Sequence, residues 1–131
     1  MTDTIIIGGG AAGCFAAVHA ARFGKTVLLF EKNEKLGRKL RITGKGRCNV
    51  TNNCTEQEYL ANVVTNPKFL LKAIYRFPPS KTMEFFEKSG VPLKTERGNR
   101  VFPVSDKAVD IVDALVKSVR TVGCRIVQGS A

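Results

Sequence analysis

Hydrophobic residues recur with two different spacings in this chain. Ile5-Ile6-Ile7 is a short β-branched run that stops at Gly8, the signature of a parallel strand buried on both faces. Residues 11–23 are rich in alanine, carry no breaker after Gly13 and stop at Gly24, which predicts a helix. Val27-Leu28-Leu29-Phe30 then predicts a second buried strand that ends at Glu31. Strand, helix and strand within so few residues form a βαβ unit, whose crossover is expected to be right-handed.

Residues 32–57 lose this periodicity. Gly37, Gly44, Gly46 and the asparagines between 49 and 53 favour turns, so an irregular loop is expected. A loop of that length in a compact domain is usually functional or disordered. Helical spacing returns at Leu70, Ala73, Ile74 and Phe77 behind Asn66-Pro67, which reads as a cap followed by proline in the first turn. Pro78-Pro79 breaks that helix, and Ser80 is the expected cap of the next, which carries Met83 and Phe86 and ends at Gly90. Two extended pieces around Arg97-Gly98-Asn99-Arg100 predict a hairpin over Leu93–Pro103. From Ser105 or Asp106 the helical period is plain, with Ala108, Ile111, Val112, Leu115, Val116, Val119 and Val122 on one face up to Gly123. Cys124 to Gln128 predicts a last strand, and no internal repeat or linker interrupts the chain.

A length of 131 residues and 44% hydrophobic content fit one globular unit. No apolar run approaches a membrane span, and Met1-Thr2-Asp3-Thr4 lacks the basic start of a signal peptide, so a cytoplasmic protein without a membrane partner is expected. Cys14, Cys48, Cys54 and Cys124 form no CxxC pair and His19 stands alone, so no metal site is expected and the thiols are read as reduced. The formal net charge is +10. Lys35, Arg38, Lys39, Arg41, Lys45 and Arg47 fall in one stretch without an acid. Such a cluster is a solvated face, a nucleic-acid surface or a seat for phosphates. No aromatic residue occurs between 32 and 53 to stack on bases, so no nucleic-acid partner is expected there.

Gly8-Gly9-Gly10-Ala11-Ala12-Gly13 matches G-x-G-x-x-G, and its context is a strand before and a helix after. Gly8 permits the tight turn, Gly10 lets the backbone approach a pyrophosphate, and Gly13 lets the helix pack against the sheet. Free N–H groups and the positive end of the helix dipole then face the anion. Glu31 lies 23 residues after Gly8. A carboxylate there accepts hydrogen bonds from ribose hydroxyls and repels a 2′-phosphate, so FAD or NAD is expected rather than NADP.

With that fingerprint, the segment from Leu36 to Asn52, LGRKLRITGKGRCNVTN, resembles a bacterial family of FAD-dependent, NAD(P)H-linked oxidoreductases that includes aminoacetone oxidase and BaiN-type reductases of oxo-bile acids. The matching positions are Gly37, Arg38, Lys39, Thr43, Gly44, Gly46, Arg47, Cys48, Asn49, Thr51 and Asn52, and Arg100-Val101-Phe102-Pro103 also fits. The resemblance implies an α/β fold: a Rossmann-like FAD-binding βαβ core with a parallel sheet, then helices, a short hairpin, a helix and a further strand. It implies that the loop runs along FAD from the pyrophosphate towards the isoalloxazine. Expected cofactor-binding residues are therefore Gly8, Gly10, Ala11, Ala12, Gly13, Glu31, Lys32, Arg38, Lys39, Gly44, Gly46, Arg47, Cys48, Asn49, Thr51 and Asn52. Arg38, Lys39 and Arg47 would neutralise phosphates. The short polar side chains at 49, 51 and 52 suit ribityl hydroxyls or the flavin edge. Cys48 either touches the flavin or is a small buried apolar residue. His19, Cys14 and Cys124 read as packing residues.

Members of that family are longer, with a substrate domain and a C-terminal return to the flavin. Residues 1–131 are thus expected to be the N-terminal part of the FAD domain, partnered by the rest of its polypeptide. Alone it would expose sheet edges and an apolar face. NAD(P)H is the expected co-substrate and a small molecule the expected substrate. No residue here reads as a catalytic acid or base. The other class left open is an RNA-associated flavoprotein similar to tRNA-modifying enzymes, which the charge favours and the missing Ser-Cys-Asn-Pro run disfavours. A non-catalytic nucleotide-binding module is the third.

Overall fold

The structure, a computed structural model, describes residues 1–129. Strand β1 (Thr4–Ile7), helix α1 (Ala11–Arg22) and strand β2 (Val27–Glu31) form the expected βαβ unit. The long helix α6 (Ala108–Thr121) leads to β6 (Arg125–Gln128), which pairs with the other side of β2. All three strands are parallel, in the order β1-β2-β6, with Ile5 opposite Leu28 and Leu29 opposite Ile126.

Helices α1 and α6 cover one face of this sheet. Cys14, Ala17 and Val18 of α1, Leu29 of β2, and Ile111, Leu115 and Val119 of α6 are almost wholly removed from water and form its core. Each large aliphatic side chain so buried contributes about 1.5–3 kcal/mol. The alanines of α1 let it approach the strands closely, and the apolar face of α6 follows the spacing read from sequence.

The opposite face is bare. Ile5 and Ile7 are 61% and 69% exposed, so β1 is not the doubly buried central strand expected of Ile5–Ile7. Its side chains alternate between core and solvent, β2 holds the centre, and β1 lies at an edge among the described residues. The predicted exposure of an apolar sheet face is thus present.

A second, antiparallel sheet has the order β3-β5-β4. It comprises β3 (Thr51–Asn52), β4 (Leu93–Glu96) and β5 (Arg100–Pro103). The hairpin turn at Arg97–Asn99 is where sequence placed it. Between β3 and β4 the chain forms α3 (Glu56–Ala61), α4 (Leu71–Arg76) and α5 (Pro79–Lys88). The segment 32–57 is more ordered than expected. It contains α2 (Arg38–Ile42), the strand β3 and the start of α3. Thr55 and Glu58 form a reciprocal cap on α3, a signal already present in T-x-x-E. Ser80 does not cap α5: Pro78 occupies the cap position and Pro79 the first turn, so Ser80 falls inside the helix. Asn66 precedes a 3-10 turn in a left-handed conformation without capping through its side chain, and α6 begins later than Ser105, after Lys107.

Candidate functional site: a cleft at the amino end of helix α1

The crossover from β1 to α1 and the end of β2 meet α2 around a cleft of about 560 Å3. Its floor is the backbone of Gly8, Gly9, Gly10 and Ala11, and Phe30 and Glu31 form one wall. Lys32, Arg38 and Lys39 supply positive charge at its rim. No side chain caps the amino end of α1, so its first N–H groups and the helix dipole act on the cleft. Among the described residues, Lys32, Arg38 and Lys39 form no ion pair with a carboxylate.

Two glycines here are required by the chain's own packing, for different reasons. A Cβ on Gly13 would lie 1.8 Å from the carbonyl oxygen of Gly8, so the helix sits on the strand end only because that atom is missing. A Cβ on Gly9 would lie 2.8 Å from Leu36 Cγ and 3.1 Å from Glu31 Oε2, so the loop after β2 closes onto the turn. Gly10 is different. Its φ of −83° suits any residue, and a Cβ there would meet no atom within 4 Å. Nothing within the chain requires glycine at position 10. Gly10 is also one of the residues that line the cleft.

Glu31 is only 7% exposed. Its Oε2 accepts the Gly9 N–H at 2.7 Å, and its Oε1 accepts the backbone and side-chain N–H groups of Asn33, both at 2.8 Å. The backbone donors of Asn33 and Gly9 hold its pKa below the ordinary glutamate value, against the opposing effect of burial. The group is therefore an ionised acceptor. A carboxylate has about four acceptor positions and three are filled, which leaves one for a hydroxyl. Arg38 Nη1 donates to Asn33 Oδ1 at 3.3 Å and so lies over the same corner. Asn33 and Gly9 were not singled out from sequence. The extra glycine at the second position of the fingerprint was the available signal for Gly9.

Of the expected site residues, the structure brings Gly8, Gly10, Ala11, Glu31, Lys32, Arg38 and Lys39 to this cleft, with Thr43 and Leu40 beside them. Gly13 supports it from within the helix packing. Ala12 instead borders an apolar groove of about 490 Å3 along α1, with Phe15, Ala16, His19 and Phe77. The later part of the loop turns away from this cleft. Gly44 packs: a Cβ there would lie 2.9 Å from the Asn49 nitrogen and 3.1 Å from Phe102. Gly46 has a positive φ and open space beside it. Cys48 is 1% exposed with a φ of 59°, and burial pushes its thiol pKa up. Asn49 donates to the carbonyls of Thr51 and Val101. Thr51 and Asn52 pair with Val101 and Arg100, and Asn52 Nδ2 donates to the Gly98 carbonyl at 2.9 Å.

Arg47 departs furthest from expectation. Its Nε donates to Asp106 Oδ1 at 2.8 Å and its Nη2 bonds Glu96, while the guanidinium lies 3.9 Å above the Phe102 ring. Lys94 bridges the same acids, 2.8 Å from Asp106 and 3.2 Å from Glu96. These partners are carboxylates, so Arg47 ties the loop to the second sheet through Nε and Nη2. Identity of residue type did not separate it from Arg38; only the position of Glu96 and Asp106 does. His19 Nδ1–H donates to the Phe15 carbonyl at 2.8 Å and the ring stacks on Phe15, in keeping with packing.

A parallel βαβ unit with a glycine turn, an open helix amino end and a buried acid at the end of the second strand defines a dinucleotide-binding α/β domain. Residues 2–131 match the model of the HI0933-like protein Rossmann domain, and the chain belongs to that family. It is 35% identical over 126 residues to the 3-dehydro-bile acid delta(4,6)-reductase of Clostridium scindens, covering 95% of this chain and 30% of that protein. It is 39% identical over 115 residues to the ribosomal RNA dihydrouridine synthase of Escherichia coli, covering 87% of this chain and 28% of that protein. The chain thus spans less than a third of these relatives. The fold is shared with 3-ketosteroid-delta4-(5alpha)-dehydrogenase of Rhodococcus jostii, with a TM-score of 0.69 at 16% identity over 97% of this chain and 37% of that one. It is also shared with THI4 of Thermovibrio ammonificans, with a TM-score of 0.64 at 18% identity over 98% of this chain and 38% of that one. No described helix is long and apolar enough to cross a membrane.

Proposed function

We propose that this chain is the FAD-binding part of an oxidoreductase and works with further residues of its own polypeptide. The observation that carries this reading is Gly10, a cleft-lining residue whose missing Cβ answers no need of the chain. The cleft suits the ADP half of the dinucleotide. Amide N–H groups at the start of α1 would receive the pyrophosphate, with Arg38 and Lys39 offsetting its charge. Glu31 would take a ribose hydroxyl on its remaining acceptor position and disfavour a 2′-phosphate. When bound, FAD supplies the redox chemistry, hydride transfer at N5 between NAD(P)H and an organic substrate. This chain's part is binding and orientation, because none of its cleft residues is placed as an acid or base for the substrate. The uncovered sheet face with Ile5 and Ile7 supports a polypeptide that continues over it.

The test uses the whole polypeptide. It is expected to purify yellow, to release FAD on denaturation, and to lose its flavin absorbance when mixed anaerobically with NADH or NADPH. Colourless protein that fails to bind added FAD overturns the reading.

A second reading concerns the substrate. The net charge of +10, with two relatives named ribosomal RNA dihydrouridine synthase, favours RNA over a small molecule. Dihydrouridine is uridine reduced across a ring C=C bond, the same reaction class as reduction of a conjugated enone. Reduced holoprotein offered a steroid enone and unmodified ribosomal RNA in parallel distinguishes the two by which one reoxidises the flavin.

A further inference from the structure

Positive charge also gathers at the far end of α1. Arg22 of α1, Arg76 at the end of α4, and Lys81 and Lys88 of α5 line a groove of about 430 Å3. One carboxylate, Glu84, shares it and is already paired with Lys88 at 2.6 Å. Among the described residues, Arg22, Arg76 and Lys81 form no ion pair. Each has an exposed side chain. Arg22 is held 5.9 Å above the Phe85 ring, and Lys81 Nζ donates to the Arg76 carbonyl at 3.3 Å, so two of the three heads are positioned by the protein.

Three unpaired cations around one concavity repel each other and collect counterions. A polyanion that replaces those counterions gains the entropy of their release. The half-buried rings of His19 and Phe77 line the same groove. Their faces suit unstacked bases, which an acidic protein segment does not present. We propose that this groove seats the phosphate backbone of single-stranded or looped RNA. Arg22 lies about 16 Å along the helix axis from Ala11, so RNA here does not compete with a dinucleotide at the glycine turn. The absence of aromatics between 32 and 53 concerns a different part of the surface.

This surface deepens the RNA reading above, so flavin content is measured beside RNA affinity to separate failure of one from failure of the other. The probe is a labelled bacterial ribosomal RNA hairpin, titrated with the flavin-loaded whole polypeptide between about 50 and 200 mM salt. The triple variant Arg22→Gln, Arg76→Gln, Lys81→Gln is expected to bind at least about tenfold more weakly and to lower the salt slope by about two. Its flavin content is expected to match wild type. A control with the same charge change on exposed α6 and its approach, Lys107→Gln, Lys117→Gln, Arg120→Gln, is expected to keep most of the affinity. Wild-type affinity and slope in the groove variant, an equal loss in the control, or competition by polyglutamate as effective as by RNA overturns the proposal.

Discussion

Adding one methyl group at Gly10 and one at Gly13 should do opposite things to the same molecule. At Gly13 the new Cβ would stand 1.8 Å from a backbone oxygen of Gly8 and 3.4 Å from Ile6 Cγ2. The ordinary limit for such a contact is about 3.2 Å or more, and a backbone carbonyl cannot rotate aside as a flexible side chain can. Helix α1 must move off the strand by more than an ångström or the turn must reopen. Overpacking of this kind costs about 1–3 kcal/mol, and the backbone neighbour places Gly13→Ala at the upper end. At Gly10 the methyl meets nothing and φ is already ordinary. Loss of glycine freedom in the unfolded chain contributes about 0.4–1 kcal/mol of stability. Alanine's poorer capping offsets a similar amount. Gly10→Ala should therefore fold with wild-type stability within about 1 kcal/mol. Its cost appears only with cofactor, where the methyl occupies the pyrophosphate's place, and an overpacking penalty of about 1–3 kcal/mol weakens FAD about 5–150-fold. Urea unfolding of the apoprotein and FAD titration of the same preparations measure both. Wild-type FAD affinity in Gly10→Ala, or wild-type stability in Gly13→Ala, refutes the reasoning.

Glu31→Gln should weaken FAD binding and leave the Gly9 and Asn33 donors poorly matched, at about 1–3 kcal/mol of stability. Its pH signature follows from a folded-state pKa that is lowered: the stabilisation is complete above the unfolded glutamate value of about 4.3 and lost as pH falls through the folded value. Wild type should lose more stability than Glu31→Gln on acidification below about pH 4.3, and equal acid profiles would contradict the hydrogen-bond assignment. Arg47→Ala should release residues 43–49 from the second sheet, seen as faster amide hydrogen exchange there; unchanged exchange would show that the Glu96 and Asp106 contacts are dispensable. Cys54 is the half-buried thiol of the four. Native alkylation at about pH 8 should reach it before Cys48, Cys124 or Cys14, whose pKa burial pushes up to about 11, and early labelling of Cys14 would refute the core packing.

Local patterns carried much of this molecule. The βαβ unit, the hairpin at Arg97–Asn99 and the helix ending before Gly123 rest on periodicity and turn chemistry, which act between residues close in sequence. Gly8, Gly10, Gly13 and Glu31 were legible for the same reason: the strand, turn and helix that position them are contiguous. What could not be read along the chain depends on partners far away. Arg38 and Arg47 are the same side chain in the same basic loop, yet one faces the glycine turn and the other is held by Glu96 and Asp106. Gly10 and Gly44 are both glycines of a matching motif, yet one opens on vacant space and the other makes way for Phe102. Ile5 and Ile7 looked like core residues because a β-branched run says nothing of what lies over each face of its sheet. Those differences arise from which segments fold back onto which, and that is a property of the assembled backbone.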